Sequence, residues 1–253
     1  MSTSVDPVEL PLMTSLWSVI FILLAYAIFV FKVGKDWMRN RRPYNVQKAM
    51  LIYNAFQVVY NVTLFCNICH MVFVKRIYDF RCMESLPLDH PEKRIERLLS
   101  YFFFLNKVCD LMDTIFFVLR KSYKQITVLH VSHHISMVLF FPIFYPKFGA
   151  GGEIVLMGIC NTFVHSLMYS YYFISALFPN MKGIEKWKKL ITISQMVQFI
   201  ICHLHGDIMF IFYPECKLYA QHLLLIGMST AMFIMFANFY RKAYMQPKSK
   251  NRE

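Results

Sequence analysis

Seven long apolar runs alternate with short basic segments along this chain, and they constrain its fold more than any other feature. A helix that crosses a membrane needs about 20 mainly apolar residues. The runs predict spans at about 10–33, 49–74, 98–119, 126–144, 154–178, 190–213 and 219–240. The third contains charged residues and the fourth begins with a histidine cluster, so these two are the weakest by hydropathy. The sequence therefore predicts an all-α integral membrane fold, with residues 1–253 forming one polytopic domain.

Composition favours a chain embedded in lipid. Hydrophobic residues make up 57% and charged residues 17% of the sequence, whereas soluble proteins average roughly 45–50% and about 25%. The net charge of +12 would suit a nucleic-acid ligand, but the charges lie mostly between the apolar runs. They are explained by membrane topology, and no nucleic-acid partner is predicted.

The basic residues also predict an orientation. Loops on the cytosolic side carry an excess of Lys and Arg, and most of the basic residues here fall in 32–48, 120–124, 182–189 and 241–252. The short N-terminus is therefore predicted to be lumenal, and the basic tail from about 241 cytosolic. The first span has no basic segment before it and is too long for a cleaved signal, so it is expected to remain.

Cysteine positions agree with this topology. Five of the seven cysteines fall inside predicted spans, where buried thiols are ordinary. Only Cys82 and Cys216 lie in loops, and both loops are predicted to be lumenal. Because an oxidising lumen permits disulfides, we predict a Cys82–Cys216 bond, with two free thiols as the alternative.

Polar stripes at helical spacing run along four consecutive spans. They are Lys107, Asp110, Asp113 and Thr114 in the third span, His130, His133 and His134 in the fourth, Asn161, His165, Met168, Tyr169 and Tyr172 in the fifth, and Thr192, Gln195 and Gln198 in the sixth. Residues three and four apart share one face of a helix, and polar groups at membrane depth normally face the protein interior. The four stripes are therefore expected to face one another, in a helix bundle around a polar chamber.

The histidine triplet allows more than one chemistry. Three imidazoles on one face could bind a metal or act as base, acid or acyl acceptor. Membrane di-iron desaturases and hydroxylases share the HxxHH pattern but use three histidine boxes, and His203-Leu204-His205 is not a second box. A metal oxygenase is therefore the second hypothesis, and no metal ligands are predicted. A seven-span receptor or transporter is the non-enzymatic alternative, although a transporter would more often show broken helices and paired half-repeats.

Four motifs together resemble the ELO family of very-long-chain fatty acid elongases, in the same order. Residues 107–114 resemble its KxxExxDT box, residues 130–134 are HxxHH, residues 161–172 match NxxxHxxMYxYY, and residues 192–198 match TxxQxxQ. The resemblance covers nearly the whole chain. Asp110 stands where the family usually has Glu, and Ser122 replaces a frequent basic residue, which weakens one phosphate contact that the resemblance implies.

The resemblance implies an acyltransferase. The reaction condenses a long-chain acyl-CoA with malonyl-CoA to a 3-oxoacyl-CoA two carbons longer, releasing CO2 and CoA without a cofactor. His133 is the candidate nucleophile of a ping-pong route through an acyl-imidazole, and direct attack with His133 as base is the alternative. His165, His130 and Asn161 would stabilise developing oxyanion charge. The catalytic set implied by the resemblance is His133, His130, His134, His165, Asn161 and Asp113, with His134 and Asp113 orienting the histidine box.

The resemblance also implies where substrates bind. The substrate-binding set is Lys107, Arg120, Gln125, Lys188, Thr192, Gln195 and Tyr169, at a basic cytosolic mouth above an apolar acyl tunnel. For Arg120 and Lys188, membrane topology alone is the alternative explanation. The implied location is the endoplasmic reticulum membrane, in contact with lipid. Homo- or hetero-oligomers and association with the elongation-cycle reductases and dehydratase are compatible with this interpretation.

Overall fold

The computed structural model describes residues 7–79, 81–151, 153–178, 180–181, 183–213, 216 and 219–246. These residues form helices, turns and loops without a β-strand. The helices are α1 (Leu16–Ile28), α2 (Gly34–Met38), α3 (Gln47–Cys69), α4 (Lys93–Asp110), α5 (Met112–Leu119), α6 (Val128–Phe148), α7 (Glu153–Leu177), α8 (Ile184–Phe212) and α9 (Tyr219–Tyr240). π-Helical turns at Phe29–Val33, His70–Val74 and Arg241–Met245 extend α1, α3 and α9. The first six residues of the predicted lumenal N-terminus and the end of the basic tail, 247–253, lie outside the described residues.

Six helical segments of the described chain are long and apolar enough to cross a membrane. They are Leu16–Met38, Gln47–Val74, Val128–Phe148, Glu153–Leu177, Ile184–Phe212 and His222–Met245. Each corresponds to a predicted span. The first begins later than predicted because Ser15 caps it, accepting a hydrogen bond from the Ser18 amide, while residues 11–14 form turns.

The predicted span 98–119 is the exception among the seven. It corresponds to α4 and α5, which are separated at Leu111 and are not among the six apolar segments. Lys93, Glu96, Lys107 and Asp110 all lie on α4 and are buried, so this helix is too charged to qualify by hydropathy.

Helix contacts close a ring. The α3–α7 contact is the most extensive, followed by α8–α9 and α7–α8, and the ring is completed by α9–α6, α6–α4 and α4–α3. Helix α1 packs outside the ring against α6, and α2 contacts α5. This order places α4–α5, α6, α7 and α8 around one interior, and these are the helices that carry the four predicted polar stripes.

The outer surface is more apolar than that of a soluble protein, and several polar side chains are buried. Large apolar side chains face outward, including Trp17 at 71% exposure and Ile52 at 73%, while Gln57, Asn61 and Lys107 are buried. In water such an outer surface would be unfavourable, whereas in hydrocarbon it needs no cover, and the interior polar groups must satisfy one another. The arrangement suits a multi-pass membrane protein.

One end of the ring is closed by covalent and polar contacts. Cys82 and Cys216 form a disulfide, with Cα atoms 5.4 Å apart, between the α3–α4 loop and the α8–α9 loop. At the same end Glu96 accepts hydrogen bonds from Tyr78 Oη at 2.9 Å and Lys93 Nζ at 2.7 Å. Burial and the nearby Glu96 carboxylate raise the pKa of Tyr78, which therefore stays a proton donor in this contact. We call this the disulfide end.

Candidate active site

The histidine box occupies the first two turns of α6. Thr127 caps this helix, and its Oγ1 accepts a hydrogen bond from the His130 amide at 3.2 Å. The ring centroids of His130 and His134 are 4.4 Å apart, and those of His133 and His134 are 5.6 Å apart. The predicted spacing therefore does bring the three imidazoles together on one face.

The three histidines line an inner cavity of about 350 Å³. Most of the predicted site residues share this cavity: His130, His133, His134, His165, Asp113, Gln125, Lys188, Thr192 and Gln195. They come from four helices and from the segment between α5 and α6. The cavity lies toward the end of the ring opposite the disulfide, which we call the cavity end.

An outer cavity of about 590 Å³ adjoins the inner one. The two share Asp113, Phe117, Gln125, Tyr171, Tyr172 and Lys188. The outer cavity lies between the start of α3 and the end of α7, and Arg120 lines it. Two of the predicted CoA ligands, Gln125 and Lys188, thus stand at the junction of the two cavities, and Arg120 stands beyond it.

A third, apolar cavity of about 40 Å³ extends toward the disulfide end. Its wall includes the flexible side chains of Met137, Met157, Met228 and Met232. Among the residues that line the apolar and inner cavities, His133 is common to both. The middle histidine therefore stands at the boundary between an apolar and a polar space.

Lys107 lies behind the inner cavity and does not line any of the three cavities described above. It is 1% exposed. Its Nζ donates to Asp110 Oδ2 at 2.8 Å, to Asn161 Oδ1 at 2.9 Å and to His165 Nδ1 at 3.3 Å. These three contacts use all three donors of an ammonium group. Lys107, which the resemblance implied as a substrate-binding residue, thus contacts the predicted catalytic residues Asn161 and His165.

The Lys107 contacts fix which atoms of its partners remain available. Lys107 Nζ can only donate, so Nδ1 of His165 accepts, and the neutral ring then carries its proton on Nε2. The Asn161 Oδ1 atom is likewise occupied, which leaves the Nδ2 amide as the donor. One buried cation thereby orients two N–H donors on α7.

Tyr169 is also buried rather than exposed to a cavity. Its Oη lies 2.9 Å from Asp110 Oδ1 and 2.9 Å from Asp113 Oδ2. A tyrosine hydroxyl has one proton, so it can donate to only one carboxylate at a time. Tyr169, which the resemblance implied as a substrate-binding residue, links the two acidic residues of the KxxDxxDT segment.

Thr114 connects the histidine box to the outer helix α1. Its Oγ1 lies 2.8 Å from His130 Nε2 and 2.7 Å from Tyr26 Oη. His130 is thus held from two sides, by the Thr127 cap at its amide and by Thr114 at its ring.

A polar stripe on α3 completes the network and was missed by the sequence analysis. Gln57 Nε2 donates to Asp110 Oδ1 at 2.9 Å, and Gln57 Oε1 accepts from Asn106 Nδ2 at 2.7 Å. Asn61 Nδ2 donates to the Gln57 carbonyl at 2.8 Å. The signal was available, because Asn54, Gln57 and Asn61 follow helical spacing, but it contained no ionisable residue.

Among the described residues, no three His, Cys, Asp or Glu side chains form a group that could hold a metal ion. The imidazoles of the box contact one another edge to face. What the site does present is an imidazole that lines two cavities and two oriented N–H donors on α7.

The comparisons with known proteins extend across all helices of the site. A model of the GNS1/SUR4 (ELO) family matches residues 11–252. Very long chain fatty acid elongase F of Drosophila melanogaster is 38% identical over 252 residues, covering 99% of this chain and 98% of that relative. Elongase 7 of the same fly is 34% identical, over 96% of this chain and 74% of its own length. Elongase 4 of Homo sapiens is 32% identical, over 94% and 74% respectively.

Proposed function

Since the chain belongs to the ELO family and is a very-long-chain fatty acid elongase, we propose that it performs the condensing step through an acyl-enzyme on His133. A long-chain acyl-CoA and malonyl-CoA are the substrates. The products are a 3-oxoacyl-CoA two carbons longer, CO2 and CoA. The reaction class is acyl transfer followed by decarboxylative carbon–carbon bond formation.

The position of His133 carries this proposal. It lines both the apolar cavity and the polar inner cavity, and its buried Nδ1 has no hydrogen-bond partner among the described atoms. A thioester joins an apolar chain to a polar carrier, so its carbonyl carbon belongs at such a boundary. The apolar cavity of about 40 Å³ is smaller than a long acyl chain, and methionine side chains, which change rotamer readily, would give it room.

The first half-reaction transfers the acyl group. A nitrogen of neutral His133 attacks the thioester carbon and the carbon–sulfur bond breaks. CoA leaves as the thiolate and takes up the proton that the imidazole ring loses. An acyl-imidazole is an activated acyl group, because imidazole is a better leaving group than a simple amide nitrogen. His134, whose ring packs against both His130 and His133, would hold the box in position.

The second half-reaction forms the new bond. Loss of CO2 from malonyl-CoA leaves an enolate, whose carbon attacks the acyl-imidazole carbonyl. The carbon–nitrogen bond then breaks, and His133 leaves as the imidazolate and takes up a proton from water. Decarboxylation forms the enolate without a strong base. The main requirement is therefore hydrogen-bond donors that stabilise the negative charge on the enolate oxygen. Asn161 Nδ2 and His165 Nε2 are the donors that Lys107 leaves free, with His130 as a further candidate. Lys107, Tyr169 and Asp113 are then positioning residues.

The CoA part of each bound substrate would extend from the reaction centre toward the cavity end. Gln125, Lys188, Thr192 and Gln195 line the inner cavity on that side, and Arg120 lines the outer one. Two cations and three neutral polar side chains suit a phosphorylated, amide-containing ligand.

We also propose that α4–α5 is a seventh span. Its low hydropathy comes from residues such as Lys107 and Asp110, which neutralise one another inside the ring and do not meet lipid. With seven spans the N-terminus is lumenal and the C-terminus cytosolic, in the endoplasmic reticulum, with the cavity end cytosolic. Oligomers and contacts with the other enzymes of the elongation cycle are further expectations of this assignment.

The test uses purified protein, radiolabelled malonyl-CoA and a panel of saturated and unsaturated acyl-CoAs. Wild-type protein should release CoA and form a product two carbons longer, and His133→Ala should abolish both. The control is His70→Ala, at an exposed histidine on the π-helical turn after α3, which should elongate normally. Incubation with acyl-CoA alone, followed by quenching and mass spectrometry, should give an acyl adduct on His133. Elongation without that adduct would favour direct attack with His133 as base, and a folded wild type that elongates nothing would overturn the proposal.

A further inference from the structure

The outward face of α3 carries polar side chains at membrane depth. Thr63, Cys66 and Asn67 are exposed there, as is His70 at the start of the π-helical turn. They belong to the segment Gln47–Val74, which is long and apolar enough to cross a membrane. A helix rises 1.5 Å per residue, so the first three lie about 4–10 Å from the middle of this segment. That places them inside a hydrocarbon core about 30 Å thick, where they would meet lipid tails.

Other outward surfaces of the protein are apolar in their middle. The large exposed side chains near the centre of α8 are Val197, Ile200, Ile201 and Leu204. Those of α1 are Phe21, Leu24 and Ile28. Hydrocarbon suits such side chains, whereas polar groups at this depth normally face protein. The polar part of the α3 face therefore indicates a protein contact outside the ring.

The same face has the spacing of a helix-pairing seam. Its exposed residues recur at positions 52, 56, 59, 63, 66 and 70, in alternating steps of four and three residues. This alternation is typical of the a and d positions of two helices that wind around each other. We call these six positions the α3 seam. Its half toward the cavity end is apolar, with Ile52, Phe56 and Val59, and its half toward the disulfide end is polar.

The polar half of the seam has the arrangement of a packing hole. In paired helices each a or d side chain enters a hole formed by four residues of the facing helix. Residues at i, i+3, i+4 and i+7 form such a hole, and the four polar residues of this face have that spacing. Because Thr63, Cys66 and Asn67 are small, a second helix backbone can approach closely.

The hole is complementary to a side chain of its own seam. In a parallel pair of identical helices, the d residue of one helix enters the hole that surrounds the same d residue of the other. Here that residue is Cys66, which is small. The bond from Asn67 Nδ2 to the Thr63 carbonyl, at 2.8 Å, uses one donor of a carboxamide that has two donors and an acceptor oxygen. Asn67 can therefore also hydrogen-bond across the pair.

We propose that the α3 seam is a two-fold interface between two copies of this chain. Copies in one membrane share one orientation, so a two-fold axis along the membrane normal brings their α3 helices together in parallel. Cys66 of each copy then enters the polar hole of the other, and the apolar half of the seam packs alongside. Gln57 and Asn61, on the inward face of α3, stay in the interior network of their own copy. Each copy thus keeps a complete site.

Cysteine cross-linking in membranes tests the register of the pair. Copper–phenanthroline with oxygen removes two electrons and two protons from two apposed thiols and leaves a disulfide. Wild-type protein in microsomal membranes should give a reducible product of twice the chain mass, and Cys66→Ser should not. In the Cys66→Ser background, Val59→Cys should restore the product, because Val59 is the preceding d position of the seam.

The matched control for Val59→Cys is Val197→Cys in the same background. Val197 is an exposed valine on α8, 13 residues after Ile184, as Val59 is 12 residues after Gln47. It lies outside the seam, so this variant should give no dimer. Equal cross-linking of the two variants would indicate random collision and would overturn this inference.

The affinity of the pair is measured without oxidation. Two fluorescently labelled populations are reconstituted in phosphatidylcholine vesicles, and energy transfer between them is followed as lipid is added. Asn67→Leu should raise the dimer dissociation constant about tenfold, because it removes one interhelical hydrogen bond from each copy. Thr230→Val, at an exposed polar position of α9, should leave the constant unchanged.

Two further outcomes would contradict the interface. Wild-type protein that is monomeric at every lipid dilution would overturn it. A product cross-linked through Cys66 whose mass differs from that of two chains would show that another protein covers the seam, and would overturn it as well. These measurements need no turnover, so they stand or fall independently of the proposed function.

Discussion

Lys107 Nζ donates a 2.9 Å hydrogen bond to Asn161 Oδ1, joining α4 to α7 across the interior of the ring. The same ammonium contacts His165 one turn further along α7. A buried cation therefore sets the direction of two donors at the proposed reaction centre without facing the substrate itself.

Replacing Lys107 should lower kcat more than replacing Lys93, the lysine of a second buried ion pair on the same helix. Lys107→Met leaves Asp110 buried without its cation, which costs about 3–5 kcal/mol of stability, and it frees Asn161 and His165 to rotate. We expect kcat to fall by roughly 10²–10³. Elongation per amount of folded protein, together with thermal denaturation in detergent, measures both effects.

The matched control for Lys107 lies on the same helix. Lys93 and Glu96 form a second buried i,i+3 pair at the disulfide end, 2.7 Å apart. Lys93→Met should reduce thermal stability to a similar extent, but the folded fraction should keep its kcat. Equal loss of kcat in both variants would show that Lys107 acts only through stability.

The hydroxyl of Thr114 should be needed for full elongation activity. Thr114→Val removes the group 2.8 Å from His130 Nε2 while keeping the shape of the side chain. Because the His130 ring then loses its hydrogen bond to Thr114, we expect activity to fall about tenfold. A tenfold change corresponds to about 1–1.5 kcal/mol, the free energy of one hydrogen bond. Thr114→Ser retains the hydroxyl and should stay near wild-type activity. A Val variant as active as the Ser variant would contradict this role.

Adding a side chain at Gly206 should lower the stability of the protein. A Cβ at this position would lie 2.7 Å from both Glu153 Oε2 and His222 Nδ1, and these two residues are themselves joined by a 2.8 Å hydrogen bond. Gly206→Ala should therefore lower the melting temperature. Gly227→Ala is the control, because nothing lies within 4 Å of its added Cβ, and the gain in helix propensity should stabilise it by about 0.5–1 kcal/mol. Stabilisation by both substitutions would refute the close approach.

The disulfide should contribute strongly to stability. It links positions separated by 134 residues, and removal of a native disulfide typically costs about 2–5 kcal/mol. The Cys82→Ser/Cys216→Ser double variant should melt at a lower temperature than wild type. Cys66→Ser, at an exposed free cysteine of α3, should not. Identical melting of the double variant and wild type, with the bond verified by mass spectrometry, would contradict the expectation.

Much of the arrangement could be predicted because helical spacing fixes which residues share a face. The spacing of His130, His133 and His134 predicted a common inward direction, and the loop positions of Cys82 and Cys216 predicted their pairing. Spacing does not reveal how deeply a side chain is buried or which side chain it contacts. Lys107 and Tyr169 share faces with residues that line the inner cavity, yet hydrogen bonds between helices enclose them. Lys107 contacts Asn161 and His165 on α7, and Tyr169 contacts Asp110 and Asp113 on α4 and α5.

The break in the third predicted span and the α3 stripe were harder to predict for a physical reason. Hydropathy averages over a window, so α4 resembles a polar helix although it is one of the helices that form the ring and its buried charges pair with one another. Asn54 and Gln57 are neutral, and their importance comes from Asp110 and from a cavity that only the folded ring creates.

The covalent bond between Cys82 and Cys216 makes the two ends of the ring mechanically unequal. At the disulfide end the α3–α4 and α8–α9 loops cannot separate, whereas at the cavity end α3 meets α7 through contacts such as Gln47 to Ala176, which can break and re-form. Helices that are held together at one end move most at the opposite end when they tilt. Small tilts about the fastened end would widen the passage for bulky thioesters at the cavity end.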